Sequence, residues 1–555
     1  MMRRLGAAGV LGLAVLVVAG CGSGGSSASS GGGTNTPPPP TAPTVTSTTP
    51  ASGATSVAVN TTISATFSEA MTASTITASN FTVTPAGGAA VTGTVAYNSS
   101  TNVATFTPSA NLANGTTYTV SLAAAMTSSA GAALSTYTWS FTTVAATPSG
   151  TVAVDFGTAG QVIRGFGGSE AWSGVMPATQ ISTLYGTGST DLALSIMRVR
   201  IAPATWNSTA KTADTTQWTA ELTNAKAAQA MGATVFATPW SAPASMKTDN
   251  SVNSGSLNSS SYADYADYLE AYANYANSLN VNLYAISMQN EPDWDPCGTG
   301  GPTAASCYES CIWTGAQMDT WVANNSSVLT VPLMMPESYY FAATMSDPTL
   351  NDPNAVNKVK IVGGHLYGHA AYYYTNAENL HKDVWMTEHT INLASGETST
   401  QSMADALTEA MDVHNSMTVG QYNAYVYWWM VNSTSLNYYS GLLDTSGNMT
   451  WVGAGLAQYA RFVRPGYSRY TATVNPLTGV YVSAYGGSGH QAIVVINTAS
   501  TGAQIAFTIQ NQSISSLTPY QTTSAGMVAA QPAVTLSGNQ FTYTVPAQSI
   551  TTFVE

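Results

Sequence analysis

Two glutamates are the residues of this chain best suited to do chemistry. Glu291, in the segment Met288–Asp293, ends one predicted apolar strand, and Glu388, in the segment Trp385–His389, ends another further along the chain. Only 7% of the residues are charged, so a carboxyl at the end of an apolar strand is expected to have a function and not merely to lie on the surface. Two carboxyls held across a cleft can cleave a glycosidic bond. One protonates the leaving oxygen, and the other attacks the anomeric carbon or activates water.

The elements that must position these carboxyls are eight apolar runs, which alternate with longer helical patterns such as the one over 262–279. Continuous apolar runs are typical of strands that are buried on both faces. Eight such units predict a (β/α)8 TIM barrel over residues 161–465, with catalytic groups at the C-terminal ends of its strands. Glu291 ends the fourth predicted strand and Glu388 the seventh, so we expect them to face each other across the barrel mouth. The predicted strands are Val162–Ser169, Leu194–Ile201, Ala233–Trp240, Leu283–Pro292, Val331–Ser338, Val359–Gly368, Asp383–Thr390 and Ala424–Val431.

Both flanks of the barrel have the alternating pattern of exposed β-sheets. Residues 43–144 alternate Thr, Val and Ser between Gly and Asn turns, which predicts a β-sandwich. Its segments Phe67–Met71 and Trp139–Thr143 resemble bacterial Ig-like modules. We interpret this module as a spacer, with carbohydrate binding as the alternative. Residues 151–160 and 466–555 are predicted to form an antiparallel side β-domain packed on the barrel.

The N-terminus reads as an export signal. Arg3 and Arg4 precede a short apolar core, and the segment ends in Val18–Cys21, which resembles a bacterial lipobox. We therefore expect a signal peptide over 1–20, lipidation of Cys21 and a Gly/Ser/Pro tether over 21–42. The protein would then be an exported lipoprotein, anchored in a membrane at the cell surface or in the periplasm. An ordinary cleaved signal with an incidental cysteine is the alternative.

The net charge bears on the partners of the protein, and the cysteines bear on disulfides and metal sites. The net charge is −13 and becomes more negative once Arg3 and Arg4 are removed, so no nucleic-acid partner is expected. Cys297, Cys307 and Cys311 follow Glu291 closely. In an exported protein we interpret them as one disulfide and one leftover thiol, and a three-cysteine metal site is the weaker alternative. No metal or organic cofactor is called for, and we expect a monomer.

Five longer motifs carry a resemblance to a known family. Together they resemble glycoside hydrolase family 30, most closely its bacterial glucuronoxylanase subfamily, and the resemblance covers residues 151–555. The motifs are Tyr284–Asp293, His365–Gly368, Trp385–Glu388, Arg461–Tyr467 and Pro546–Phe553.

The resemblance implies a retaining endo-β-1,4-xylanase acting on xylan or xylo-oligosaccharides. Glu291 would be the acid/base, Glu388 the nucleophile, and Asn290 the donor to the 2-hydroxyl of the bound sugar. The resemblance also implies sugar contacts by Trp240, Tyr367 and Trp428, for which core packing is the alternative. It implies that Arg200 and His365 orient the carboxylates and that Glu170 and Glu337 have supporting roles. Asp293 and Asp295 would shape the loop after Glu291.

The sequence departs from the family at the grip for the glucuronate branch of xylan. Val431 and Asn432 stand where the subfamily has an arginine pair, and Thr390 and Leu393 replace its Tyr and Ser. An arginine fork is what a carboxylate requires, so we expect the dependence on the acidic branch to be lost.

The segment 297–311 also lengthens the loop after the fourth strand, which could reshape one end of the cleft. Three rivals therefore stay open: an exo enzyme that releases xylose or xylobiose, another family 30 β-glycosidase or glucanase, and a non-catalytic carbohydrate-binding surface protein.

Overall fold

The computed structural model divides the chain between Ala146 and Thr147 into two compact units, which are described separately here. It describes residues 40–303, 307–394, 396, 400–435, 437–487 and 489–555. The predicted signal peptide, Cys21 and the tether as far as residue 39 lie outside this range and stay predictions. No helix in the described part of the chain is both long and apolar enough to cross a membrane.

The first unit is the predicted Ig-like β-sandwich. Its two four-stranded sheets have the orders β1-β3-β6-β5 and β2-β8-β7-β4. Alternate residues face inward, so that Phe81 and Trp139 meet in the core with ring centroids 6.2 Å apart. The strands are β1 (Val45–Thr49), β2 (Ala54–Val57), β3 (Ile63–Phe67), β4 (Phe81–Pro85), β5 (Gly93–Asn98), β6 (Val103–Pro108), β7 (Thr117–Leu122) and β8 (Tyr137–Thr143).

The second unit contains the predicted barrel. Strand β9 (Gly150–Val162) leads into it, and eight parallel strands then close in the order β10-β11-β14-β15-β16-β17-β18-β19. A short hairpin, formed by β12 and β13, lies in the loop after β11. The bounds are β10 (Gly165–Ser169), β11 (Ile196–Ile201), β12 (Trp206–Asn207), β13 (Thr212–Ala213), β14 (Thr234–Pro239), β15 (Leu283–Ser287), β16 (Leu333–Ser338), β17 (Val359–His365), β18 (Asp383–His389) and β19 (Ala424–Tyr427).

In the described part of the chain, eight α-helices accompany these strands. In α3, Tyr265, Tyr268 and Tyr272 recur at helical spacing and are fully buried. The helices are α1 (Ala178–Tyr185), α2 (Thr219–Ala230), α3 (Tyr262–Ser278), α4 (Gly315–Asn325), α5 (Ala343–Asn351), α6 (Thr375–Asn379), α7 (Met403–Thr418) and α8 (Trp451–Ala460).

An apolar layer fills the interior of the barrel. Phe236 and Trp385 meet edge to face there, with ring centroids 5.8 Å apart, beside Ile196, Ala285, Met334, Ile361, Ala424 and Val426. Strand β10 contributes glycine instead of a side chain. A Cβ on Gly167 would lie 2.3 Å from the carbonyl oxygen of Ile196, so the close approach of the two strands requires glycine. This layer of buried apolar side chains closes the interior of the barrel below its mouth.

Three of the predicted strands end three or more residues earlier than expected. The fourth ends at Ser287 instead of Pro292, the sixth at His365 instead of Gly368, and the eighth at Tyr427 instead of Val431. Glu291 therefore lies in the loop beyond β15 and not at its last residue. The loop is still held by the neighbouring strands, because Asn290 N–H donates to the carbonyl of Pro239 at 2.8 Å and Glu291 N–H donates to that of Glu337 at 3.0 Å.

The C-terminal residues and β9 form the predicted side sheet, in the order β25-β24-β28-β22-β21-β20-β9-β23-β27, with β26 paired to β24. One pair departs from the predicted antiparallel arrangement, since β9 and β23 run parallel. The strands are β20 (Ser468–Ala472), β21 (Val480–Gly487), β22 (His490–Asn497), β23 (Ala503–Gln510), β24 (Ser516–Thr523), β25 (Gly526–Ala530), β26 (Val534–Thr535), β27 (Gln540–Val545) and β28 (Ser549–Val554).

Candidate active site

A buried arginine organises the barrel mouth. Arg198 projects inward from β11 and is fully buried. Its guanidinium bonds to Glu388 Oε2 and donates to Asn290 Oδ1 at 2.6 Å, and its Nε lies 3.2 Å from Glu337 Oε1. Trp240 covers the guanidinium, with the ring centroid 4.4 Å away. One cation thus joins the ends of four barrel strands and fixes the position of both Glu388 and Asn290.

Glu388 is held as an acceptor from two sides. Arg198 bonds its Oε2, and the hydroxyl of Tyr367 donates to its Oε1 at 2.9 Å. Charge-assisted bonds of this kind stabilise a carboxylate and lock its rotamer. The side chain of Glu388 is nearly buried yet lines the cleft. These contacts suit a group that must approach a substrate carbon while ionised.

Glu291 has different surroundings. It has a positive φ of 47°, an uncommon conformation for a non-glycine residue that is often found at functional sites. His365 Nδ1 lies 3.1 Å from its Oε1, and the hydroxyl of Tyr308 donates to its Oε2 at 3.0 Å. Burial raises the pKa of Glu291, and the charge of Glu388 raises it further, against the lowering effect of the bonds from His365 and Tyr308. A carboxyl that keeps its proton is suited to be an acid.

His365 and Glu337 balance the remaining charge. Burial would lower the pKa of His365, but the charge of Glu388 and the bonds to Glu291 and Glu337 outweigh it and raise that pKa to about 9. Burial would likewise raise the pKa of Glu337, but Arg198 and His365 lower it to about 2. Glu337 also accepts a hydrogen bond from Thr238 at 2.9 Å. It is therefore a buried counter-ion, which fits the supporting role expected of it, and His365 contacts the acid as predicted.

Arg200 makes no hydrogen bond to Glu291 or Glu388 in the described part of the chain, so its expected role in orienting the carboxylates stays a prediction and would have to act through other residues. It bonds both carboxylate oxygens of Glu309 and donates to Glu221 at 3.1 Å. Arg198 and Arg200 project from the same face of β11, but a two-residue step carries Arg200 roughly 7 Å further along the strand. Arg198 therefore reaches Glu388, and Arg200 reaches the rim.

The other predicted acidic residues play structural parts. Glu170 accepts a hydrogen bond from Asn224 at 2.8 Å, and burial, followed by the charge of Glu221, raises the pKa of Glu170 to about 8. Asp293 accepts from the hydroxyl of Ser338 at 2.6 Å. Asp295 accepts from the backbone N–H of Cys297 at 3.0 Å. The last two shape the loop after Glu291, as expected.

Tryptophans form one wall of the cleft. Trp240 and Trp428 both line it, with ring centroids 5.8 Å apart. Trp172 meets them edge to face at 5.2 and 5.9 Å, and Trp429 stacks on Trp428 at 5.0 Å. Trp172 is 38% exposed, so its ring is open to a ligand. Flat rings on a cleft wall are suited to cover sugar faces.

Tyr367 is better described as a positioning group than as a sugar platform. Its ring stacks on Tyr339, with centroids 4.9 Å apart, and its hydroxyl is engaged with Glu388. It still lines the cleft, so a sugar contact at its edge is compatible with this role.

The cleft has a volume of about 1100 Å³. Among the described residues that line it, Glu291 and Glu388 are the charged ones, and none is Lys, Arg or His. The lining residues are Trp172, Ser173, Met176, Pro177, Gln180, Trp240, Glu291, Tyr308, Tyr339, Tyr367, Glu388, Thr390, Trp428, Trp429, Val431, Asn432, Ser433, Ser435 and Tyr438. The open part of the site is therefore polar and aromatic, with a negative charge at its centre.

One ligand atom each from Glu291, His365 and Glu388 lie within 4.8 Å of one another, a spacing that a metal ion could use. Both Glu388 oxygens already accept hydrogen bonds, and His365 contacts Glu291. The guanidinium of Arg198 supplies positive charge beside them. The atoms that would bind a metal are therefore already engaged with one another and with neighbouring side chains.

The loop after β15 contains the three cysteines. Cys297 and Cys307 form a disulfide, and Cys311 is a buried free thiol. This is the predicted pattern of one disulfide with one leftover cysteine. Burial raises the pKa of Cys311 to about 11, so the thiol is inert at neutral pH.

Sequence reasoning missed three residues that the fold brings to this site. Arg198 could have been found, because an arginine inside an apolar strand must be paired. Trp172 lies three residues after the end of the first barrel strand, so its place at the barrel mouth could also have been predicted. Tyr308 gave no signal, since its position depends on the path of the loop.

Replacing Arg198 with methionine should destabilise the barrel unit by about 3–5 kcal/mol, because buried carboxyls lose their cation. Urea unfolding followed by circular dichroism measures the loss. Arg198 and His365 lower the pKa of Glu337 to about 2, from an ordinary value of 4.5. A lowered pKa contributes its full stability above the ordinary value, and this contribution is lost as the pH falls from there through the folded-state value. The deficit of R198M should therefore be full above pH 4.5 and shrink as the pH falls toward 2.

The matched control is Arg164→Met. Arg164 donates to Asp383 at 2.8 Å, but its side chain is 38% exposed. A pair this open to water should cost about 0–1 kcal/mol when broken. Equal losses in the two variants would contradict the organising role of Arg198.

Comparisons with known proteins agree with the geometry. Residues 39–143 match the family model described as bacterial Ig-like domain. The chain is 35% identical over 417 residues to glucuronoxylanase XynC of Bacillus subtilis strain 168, covering 73% of this chain and 91% of the relative.

Two solved structures extend the match. One is a glycoside hydrolase family 30 subfamily 8 xylanase from Clostridium acetobutylicum, at 38% identity and a TM-score of 0.66. The other is a family 30 endoxylanase from Clostridium papyrosolvens C71, at 37% identity and a TM-score of 0.63. Each match covers 73% of this chain and 99% of the solved chain. The chain therefore belongs to glycoside hydrolase family 30 and is a glycoside hydrolase.

Proposed function

We propose that the protein is a retaining endo-β-1,4-xylanase that acts by double displacement. The observation that carries the proposal is the pair of carboxyls in unlike surroundings, Glu388 bound to a cation and Glu291 raised in pKa by burial. Carboxylate oxygens of the two lie within 4.8 Å of each other. Retaining enzymes hold their carboxyls about 5–5.5 Å apart, whereas inverting enzymes need about 6.5–9.5 Å to admit a water.

The first step follows from this arrangement. Glu388 attacks the anomeric carbon, and Glu291 gives its proton to the leaving oxygen, which yields a covalent glycosyl-enzyme. Arg198 donates into Oδ1 of Asn290, so the amide NH2 is turned to act as the donor to the sugar 2-hydroxyl.

In the second step, the ionised Glu291 takes a proton from water as the water oxygen attacks the anomeric carbon from the face opposite Glu388. The bond between that carbon and Glu388 breaks, and Glu388 is released as a carboxylate. His365 holds Glu291 in place through both steps, and Tyr367 holds Glu388.

The xylan substrate is supported by the relatives, of which one is described as a glucuronoxylanase and two as xylanases. The volume of the cleft, about 1100 Å³, exceeds the roughly 300–1,000 Å³ of typical small-ligand pockets. A polymer that passes through such a cleft can be cut internally, which supports endo action over release of single sugars from an end.

Independence from the glucuronate branch rests on the neutral loop after β19. The hydroxyl of Tyr438 donates to the carbonyl of Trp428 at 2.5 Å and bonds Thr390 at 2.8 Å. Asn432 Oδ1 accepts from the backbone of Gly441 at 2.7 Å, and Val431 has no polar side chain. An acidic branch would meet no cation among the described lining residues, next to a site that is already negative.

The test compares initial rates on glucuronoxylan and on the same polymer with its uronic acids reduced to neutral sugars. We expect nearly equal kcat/KM on the two polymers, because no arginine lies among the described lining residues to bind the acid. An enzyme that depends on an arginine–carboxylate bond would instead lose about tenfold to a hundredfold on the reduced polymer. Linear xylo-oligosaccharides and arabinoxylan should be cut to mixed product sizes. A strong preference for the acidic polymer, with cuts at a fixed distance from each branch, would refute branch independence. A single small product from every xylan would establish exo action instead.

A further inference from the structure

The residue that follows the disulfide touches the acid/base. Tyr308 comes directly after Cys307, is 37% exposed at the rim of the cleft and donates its hydroxyl to Glu291 Oε2 at 3.0 Å. Glu291 has one other side-chain bond in the described structure, to His365 on the barrel strand β17. One of the two groups that hold the acid therefore comes from the rigid barrel and the other from a loop.

That loop is tied down on both sides of Tyr308. On one side, the Cys297–Cys307 disulfide closes a span of ten residues. On the other, both oxygens of Glu309 are bonded by Arg200, whose guanidinium lies over the ring of Trp172 at 4.9 Å.

A further tie follows at the next residue. The buried amine of Lys247 donates to the carbonyl of Ser310 and to the hydroxyl of Ser241. Ser310 N–H also donates to the carbonyl of Val252 at 3.1 Å. A covalent bond, a bidentate ion pair and a buried ammonium thus fix three neighbouring residues. So many constraints around one exposed tyrosine go beyond what the closure of a surface loop requires.

We propose that the segment 307–310 is a positioning device, in which the Cys297–Cys307 disulfide and the Arg200–Glu309 pair hold the Tyr308 hydroxyl on Glu291 and so control the proton that Glu291 delivers. This inference rests on the proposed function, since it concerns the acid/base of that reaction. It also gives Arg200 its purpose: the arginine acts on the carboxyl through the loop. Tyr308 is a positioning residue, and it also lines the cleft.

The direction of the effect follows from the hydrogen bond. Desolvation in the cleft, and then the charges of Glu291 and Glu388, raise the pKa of Tyr308, so its hydroxyl keeps its proton and remains a donor. A donor favours the ionised form of the carboxyl that it touches. Removing it should raise the pKa of Glu291 and carry the alkaline limb of the kcat/KM profile to higher pH. The charged and titratable groups around Glu291 are His365, Glu388, Tyr308, Tyr339, Tyr367 and Arg198.

The experiment compares the pH profiles of the full-length wild type, Tyr308→Phe and Tyr340→Phe on linear xylan. The alkaline limb of Y308F should move up by about one pH unit. Tyr340 is a neighbouring exposed tyrosine that stacks edge-on against Tyr339 and is not among the residues that line the cleft. The limb of Y340F should stay in place.

A double-mutant cycle tests the loop itself. Cys297→Ser combined with Cys307→Ser should move the limb in the same direction as Y308F. Added to Y308F it should move the limb no further, because both act through one hydrogen bond. A Y308F profile that overlays the wild type overturns the proposal. A cysteine pair whose loss leaves the limb in place overturns the role of the disulfide.

A second readout separates this proposal from the function. The pKa of Glu291 can be read by ¹³C-carboxyl NMR of the full chain, with the resonance assigned by difference against Glu291→Gln. If the wild type cleaves no xylan, the proposed function fails, and the NMR titration still decides whether Tyr308 lowers the pKa of Glu291. Thermal unfolding of each variant checks that it is folded before either measurement.

Discussion

Glu388→Gln should lower kcat on xylan by more than about 10⁴-fold, because loss of the attacking group removes a whole covalent step. Glutamine keeps the shape of the side chain: its one oxygen can still accept from Arg198, and its NH2 can donate to the hydroxyl of Tyr367, the other group that bonds Glu388. The variant should therefore fold, bind substrate and fail at chemistry. Initial rates of reducing-end release measure kcat, and circular dichroism verifies the fold.

Glu409→Gln is the matched control. Glu409 is also fully buried, but it lies on α7 and accepts from Tyr425 at 3.2 Å. Burial raises the pKa of Glu409 well above its ordinary value, and Glu409 is not among the described residues that line the cleft. Turnover by E388Q comparable with that of E409Q would assign the nucleophile elsewhere.

Azide turns the same position into a stereochemical test. In Glu388→Ala a small anion can occupy the space of the lost carboxylate and attack an aryl β-xylobioside that carries an activated leaving group. Attack from that face gives the α-glycosyl azide. Recovery of this anomer would place Glu388 on the face of the first displacement, as retention requires. A β-azide from E388A would contradict the assignment.

The barrel and its two carboxyls could be predicted from the sequence because both depend on local pattern. Apolar runs that alternate with helical periodicity recur eight times, and a strand buried on both faces leaves few places for a glutamate. The ends of the strands were harder to predict. Glu291 lies four residues beyond β15, since the chain there keeps hydrogen bonds to neighbouring strands without the geometry of a strand.

The residues that contact the two carboxyls could not be predicted in the same way. They depend on how far along its strand each residue lies and on the path of the loops, and the sequence pattern shows neither. Arg198 and Arg200 share one face of β11, and only the height of Glu388 above the apolar layer of the barrel interior decides which arginine reaches it. Three cysteines allow three pairings. The one formed, Cys297–Cys307, leads directly into Tyr308. The chemistry could thus be predicted, whereas the groups that tune it required the fold.

Glu291→Ala should lower kcat on xylan by about 10²–10⁴-fold, the usual contribution of a positioned acid. The alkaline limb of the wild-type profile should vanish with it. In the wild type, activity is lost as the pH rises through the pKa of Glu291, which burial has raised, because only the protonated carboxyl can protonate the leaving oxygen. Rates measured from pH 4 to 10 would show a flat alkaline side in E291A. A limb that survives there would belong to another group.

The same variant should respond to the leaving group in a way that E388Q cannot. A dinitrophenyl β-xylobioside departs without a proton, so E291A should form the glycosyl-enzyme at an undiminished rate and then stall, since no base remains to activate water. Stopped-flow absorbance should show a burst of dinitrophenolate equal to the enzyme present, followed by slow turnover with a lowered KM. Azide, which needs no base, should restore turnover and give the β-glycosyl azide, the opposite anomer to that from E388A. Equal losses on xylan and on the activated substrate, without a burst, would remove Glu291 from the acid/base role.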